Sequence, residues 1–177
     1  MLGIALGVAA LIIVLSVMNG FQKEVRDRML GVVSHIEIFS PSGAALPNVT
    51  GTLAEVRTHK QVVGAAPFIA TQALLARGED MKGTMVRGID PAHEPEVTDL
   101  AVELKNTGLQ RLIPGEFGVV LGGELARSLG VREGDTVTLV APSGQVTPAG
   151  VVPRLKQMTV VDTFNSGHYE YDSALVL

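Results

Sequence analysis

Hydrophobic and polar positions change rhythm along the chain, and each change marks an element. Leu2 to Met18 carries no charge and one polar side chain, Ser16. About 17 apolar residues at 1.5 Å rise make a helix just long enough to cross a bilayer core. A cleaved secretory signal needs a basic start and a small-x-small site; this run has neither and leads into Val17-Met18-Asn19-Gly20-Phe21. A buried core helix is usually interrupted by polar residues on one side. The pattern therefore predicts a membrane-seated helix over residues 1–20. No Lys or Arg precedes it, so Met1 is expected to be an internal methionine of a longer protein. Gly3 and Gly7 have the spacing that lets a second helix approach closely, but they read as ordinary membrane glycines.

Past Asn19-Gly20 the period stays helical and the faces separate. Phe21, Val25, Met29 and Val32 or Val33 form one apolar stripe, with Lys23, Glu24, Arg26, Asp27 and Arg28 elsewhere. This predicts an amphipathic continuation lying on a sheet, with Gly31 as a stop signal. His35 to Phe39 alternates, as a half-buried strand does, and Ser40-Pro41-Ser42-Gly43 ends it. Thr50 is placed to cap a short helix over 51–59 that buries Leu53 and Val56. Residues 62–77 read as two strands or one bent strand, Gly78-Glu79-Asp80 as a turn, and Lys82 to Ile89 as a returning strand. Asp90-Pro91 stops that strand, and 92–115 predicts short helical turns over the sheet.

The signal sharpens in the last third. Gly118 to Leu121 reads as a strand and Gly122 to Leu129 as a helix, with Gly130 at its left-handed cap. Glu133-Gly134-Asp135 turns the chain into a strand over 136–139. Another strand runs from Met158 to Phe164. Between them, Ala141 to Gln157 holds three prolines, two glycines and the basic residues Arg154 and Lys156. A hairpin connection needs about two to five residues, so this one reads as a long protrusion stiffened by proline rather than a plain turn. Ser173 to Leu177 leads into a strand expected to be cut short.

Composition adds limits. A chain of 177 residues with 20 glycines, nine prolines and no tryptophan points to one α+β domain with many turns. A net charge of −4 and no basic, aromatic-laced patch argue against nucleic acid. The absence of cysteine excludes disulfides and thiolate metal sites. His35, His59, His93 and His168 are scattered and form no metal-ligand spacing. His168-Tyr169-Glu170-Tyr171-Asp172 can be drawn as a metal or acid–base cluster, and fits the exposed face of a strand start at least as well. Ser166-Gly167 is no nucleophile elbow, and no P-loop is present. Gly122-Gly123-Glu124 suits an anion or simply a tight strand-to-helix turn. No cofactor is expected in this chain, and catalysis is not.

Several stretches together carry a family resemblance: Leu6 to Ala10 with Ser16 to Phe21; Met85 to Pro91; Val120 to Ala126 with Leu129 to Asp135; Thr147 to Gly150 with Pro153-Arg154; and Phe164 to Leu177. In these the chain resembles the LolC/LolE permease subunits of the lipoprotein-releasing ABC transporter, within the wider group built like the exporter permease MacB. The resemblance implies an N-terminal transmembrane helix leading into a mixed-sheet, MacB-like periplasmic core domain over 21–177, incomplete at its C-terminus, in the bacterial inner membrane. It implies a separate ATPase subunit, a second permease subunit, lipoprotein substrates and a soluble periplasmic LolA-like carrier. In LolC-type subunits a protruding hairpin, the hook, recruits that carrier. Thr147, Pro148, Ala149, Gly150, Val151, Val152 and Pro153 match it, and Arg154 and Lys156 stand as its basic flank. LolE-type subunits lack the Thr-Pro-x-Gly loop, which points to a LolC-like or single combined subunit. Two other readings stay open: a MacB-like exporter or LolE-like subunit that contacts substrate, and a membrane-anchored extracytoplasmic enzyme using the cluster from His168 to Asp172.

Overall fold

The computed structural model describes residues 2–32, 34–98, 104, 108–147 and 150–177, the side chains of residues 2, 24–32, 142–147 and 150–152 excepted. It opens with one continuous helix, α1 (Leu2–Val32), which passes through Gly31 rather than stopping there. Its stretch Gly3–Lys23 is apolar and exposed throughout. At 1.5 Å per residue this is about 32 Å, close to the thickness of a bilayer's hydrocarbon. Phe21 stands exposed; Val25, Met29 and Val32 of the expected stripe lie outside the described side chains, and Val33 outside the described residues.

A short helix, α2 (Val49–Arg57), follows. Its cap is Asn48, whose Oδ1 accepts from Gly51 N at 2.9 Å, and not Thr50. Thr50 already lies inside the first turn, whereas Asn48 stands three residues before the amide it satisfies. Leu53 and Val56 are half-buried.

Six strands close on themselves. They are β1 (Phe68–Arg77), β2 (Asp80–Ile89), β3 (Gly118–Gly122), β4 (Thr136–Thr147), β5 (Gly150–Phe164) and β6 (Leu175–Val176). Their order is β1-β2-β6-β3-β5-β4, closed by β4 pairing back onto β1. The sheet is mixed: β2 runs parallel to β6 and β3 to β5, and the other contacts are antiparallel. Inside lie Leu75, Val119, Leu121, Val137, Val160 and Val176, plugged by Leu125, Ala126 and Leu129 from α3 (Gly123–Ser128) and just beyond its end. A second cluster, Leu104, Leu109, Val120, Phe164, Leu175 and Leu177, packs on the other face of β3 and β5. Burial on both faces explains why Val119-Val120-Leu121 is an unbroken apolar run.

Gly130, at φ +62°, ends α3 where it was expected to. Val131 N bonds Ala126 O at 2.9 Å and Gly130 N bonds Arg127 O at 3.1 Å, the paired bonds of a glycine-capped terminus. Among the described residues of 92–115, helical turns stand as 3-10 turns at Glu94–Glu96 and Leu109–Arg111.

Three further expectations change. His35 to Phe39 makes no ladder among the described residues; it is irregular chain held by Glu37 on Arg87, 3.3 Å away, and by the T-shaped contact of Phe39 with Phe68. Alternation records one face on the protein, and does not by itself supply a strand partner. Of the two readings of 62–77, the single strand holds, starting at Phe68. The segment after His168 is a helix, α4 (Tyr169–Ala174), and not the start of a strand. The stretch from Ala141 to Gln157 is largely paired strand rather than loop.

Candidate interaction site

The part of the fold least used by its own core is the outer half of the β4–β5 hairpin. β1 leaves β4 after Val140, and β3 joins β5 only from Thr159. Beyond Ala141 opposite Arg154 the two strands continue alone to the closing pair Thr147 opposite Gly150. On the unbulged strand, the five residues from Arg154 to Gly150 at about 3.3 Å carry this ribbon roughly 13 Å. Its stiffness comes from the ladder as well as from proline. Pro142-Ser143-Gly144 stand opposite the single residue Pro153, a bulge that places both prolines where no ladder donor is required.

The matched hook residues therefore gather at one tip. Thr147 and Gly150 close it, Val151 pairs with Val146 and Val152 with Gln145; Pro148 and Ala149 lie outside the described residues. Two residues are the shortest common hairpin connection.

The ribbon's base has two faces, because paired residues point the same way and neighbours alternate. Leu139, which packs on the barrel core, pairs with Lys156, and Ala141 pairs with Arg154. Arg154 and Lys156 thus extend the inner face outward, and both are exposed. On the opposite face Leu155 stands 64% exposed beside Val140, which in turn borders the exposed Leu74. Lys156 is not free to wander: its Nζ lies 3.2 Å from the centroid of the Phe117 ring, a cation–π contact. Phe117 has φ +53°, a conformation uncommon for an aromatic residue. Its carbonyl accepts from Thr159 N at 3.1 Å, which ties this turn to β5. Beside it opens an apolar cleft of about 300 Å³ lined by Ile89, Pro91, Leu112, Ile113, Phe117 and Met158 among others. Sequence reasoning missed Phe117 and the cleft; the only local signal was an aromatic residue set among glycines ahead of a strand.

The cluster from His168 to Asp172 does a different job. Asp172 is buried and accepts from both Ser166 N and Ser166 Oγ at 2.8 Å. His168 N donates to Ser166 Oγ at 3.2 Å. The serine hydroxyl is thus held by a buried carboxylate in a capping network. Gly122 and Gly123 serve close packing instead of an anion: a Cβ on Gly122 would fall 2.3 Å from Asp172 O, and one on Gly123 2.2 Å from Asn165 Oδ1. Among the described residues no group of three His, Asp or Glu is placed to hold a metal.

An exposed helix of membrane length, joined to a closed mixed barrel with a projecting ribbon, defines a membrane-anchored α+β domain. The family described as the MacB-like periplasmic core domain matches residues 1–175. Over 175 residues, 99% of the chain, it is 46% identical to the lipoprotein-releasing system transmembrane protein LolC of Neisseria meningitidis serogroup B, covering 42% of that protein. It is 44% identical over 176 residues to the protein of the same name from Xylella fastidiosa strain 9a5c, again 99% of the chain and 42% of the relative. The lipoprotein-releasing system transmembrane protein LolE of Haemophilus influenzae is 32% identical over 179 residues, 99% of the chain and 43% of the relative. The chain belongs to the MacB-like periplasmic core domain family. It spans less than half the length of these relatives.

Proposed function

We propose that this chain is the anchoring helix and periplasmic domain of an inner-membrane permease subunit that releases lipoproteins, and that the β4–β5 ribbon is its docking element for a soluble carrier. The observation that carries the reading is the ladder that continues to Thr147 and Gly150, where, among the described residues, β4 and β5 pair only with each other. A preformed ribbon loses little conformational freedom on binding, so the tip from Thr147 to Pro153 can dock at small ordering cost. Arg154 and Lys156 at its base speed encounter with an acidic partner surface. Identities of 46% and 44% to two proteins named LolC favour a LolC-type role, while the LolC and LolE of Haemophilus influenzae stand level at 32%. On this reading an ATPase subunit and a second permease subunit complete the machine, the lipoproteins are its cargo, and this chain needs no cofactor and performs no catalysis.

The test is site-specific photo-crosslinking from Val151 in the full-length permease. Capture of a LolA-like periplasmic carrier is the expected result. A folded permease that captures lipoprotein substrate instead, or nothing, removes the docking role and favours a substrate-contacting subunit.

A further inference from the structure

Whether the membrane helix can move independently of the barrel depends on how the chain just after it is seated. α1 is continuous from Leu2 to Val32 and ends two residues before the segment 34–39. That segment makes no ladder among the described residues, so side chains have to fix it. Glu37 Oε1 lies 3.3 Å from Nη1 of Arg87 in β2. With the two side chains 28% and 10% exposed, this is the most buried ion pair among the described residues. Exposed pairs are worth little, whereas breaking a pair this far buried strands a charge. The same guanidinium covers the ring of Phe68, 4.3 Å from its centroid. Phe39 meets that ring in a T-shaped contact at 5.8 Å and 85°. Ile36, by contrast, stays 78% exposed. The segment turns in a carboxylate and leaves an aliphatic side chain in water, the reverse of what apolar burial alone would select. Its seat is therefore specific to Arg87 and Phe68.

The place of that seat on the sheet gives it a consequence. Phe68 opens β1 and pairs with Ile89, and Arg87 pairs with Ala70, so both stand at one end of the β1–β2 pair. Six residues further along β1, about 20 Å at strand rise, Leu74 pairs with Val140, Leu75 with Leu139 and Ala76 with Thr138. These residues of β4 are the root from which the ribbon leaves the barrel. One strand thus carries the seat of the membrane-helix segment at its start and the root of the ribbon near its end. A paired strand is a rigid element of the kind through which displacement is carried between distant sites.

We propose that residues 34–39 are a clamped joint, with Glu37 and Phe39 seated on Arg87 and Phe68, and that this joint passes displacement of the membrane helix along β1 to the root of the β4–β5 ribbon. Arg87 and Phe68 are positioning residues in this scheme, and neither touches cargo or carrier. The transmission rests on the transporter reading above.

The test uses the full-length permease reconstituted with its ATPase subunit in proteoliposomes, with lipoprotein cargo and carrier. Labels at Ile36→Cys and Lys82→Cys, set in a stretch of 177 residues without native cysteine, report on the joint by pulsed electron–electron distance measurement. A clamped joint gives one narrow distance in the parent. Glu37→Gln combined with Phe39→Ala removes a charge-assisted bond and a ring contact, which weakens the seat about a hundredfold. The distance distribution should then broaden, and lipoprotein released per ATP hydrolysed should fall about tenfold, with ATP hydrolysis itself unchanged and circular dichroism showing the fold intact. Glu37→Gln alone should move both readouts the same way by about threefold, and decides the matter if the double variant folds poorly. Ile38→Ala, at a side chain of the same segment with no part in the clamp, should change neither. A broad distance in the parent, or full release per ATP in a folded variant, overturns the joint. A parent complex that hydrolyses ATP and releases no lipoprotein overturns the transporter reading instead, and the transmission with it.

Discussion

Adding one methyl group at Gly122 tests how the barrel is closed. Gly122 has an ordinary negative φ, so alanine meets no backbone strain there. The obstacle is contact: the new Cβ falls 2.3, 2.6 and 2.8 Å from the carbonyl oxygen, carbonyl carbon and Cα of Asp172. These are main-chain atoms of α4 and cannot rotate aside. Restoring van der Waals distance requires α4 to move by about 1 Å. That helix runs straight into β6, whose place beside β3 rests on Leu121 opposite Val176 and on two bonds of 2.9 Å between Val120 and Leu177. Overpacking costs about 1–3 kcal/mol, and weakening one or two of those bonds adds about 1 kcal/mol. A total of about 2–4 kcal/mol lowers Tm by roughly 5–15 °C in a domain of this size. Thermal unfolding in detergent, followed by circular dichroism, measures it. Gly83→Ala is the control, because its Cβ would meet nothing within 4 Å and loses only glycine's backbone freedom, so it should be neutral or stabilising by up to about 1 kcal/mol. A Gly122→Ala melt within about 2 °C of the parent refutes the reasoning, as does an equal fall in Gly83→Ala.

Two further outcomes are expected. Burial raises the Glu94 carboxyl pKa above the ordinary value of 4.5, partly opposed by Arg87 and Thr98. The native state therefore holds this proton more tightly than the unfolded chain, and its contribution is full below that ordinary value and lost as pH rises through the raised one. Urea unfolding across that window should show a weaker decline with pH in Glu94→Gln than in the parent, and identical slopes would count against the burial. Asp90 runs the other way, held low by the His93 ring and the Ala92 amide, so its share is lost on acidification. At the ribbon tip, Pro148→Ala should weaken carrier binding in a titration while leaving circular dichroism unchanged, and undiminished affinity would argue against the docking reading.

Much of the fold was legible because local chemistry dictates it. The charge-free run of α1, the Gly130 cap and the apolar core of β3 each follow from residues within a few positions of one another. The candidate site was half legible: glycine and proline punctuation singled out Ala141 to Gln157 and the family resemblance narrowed this to 147–156, yet the same prolines suggested a loop where a bulged ladder runs. What pattern could not show was pairing at a distance. Nothing near Glu37 announces Arg87, and nothing near Lys156 announces Phe117.

The sequence by itself determined which segments are helical, extended or membrane-length, since those depend on period, caps and unbroken apolar length. Tertiary structure alone decided that two residues at 175–176 slip between β2 and β3 to complete the barrel, that β4 and β5 outrun their neighbours to form a ribbon, and that Arg87 meets Glu37. Each of these brings together groups far apart in sequence. Their free energy comes from burial and from satisfying polar groups in three dimensions, which no local rhythm of residues records.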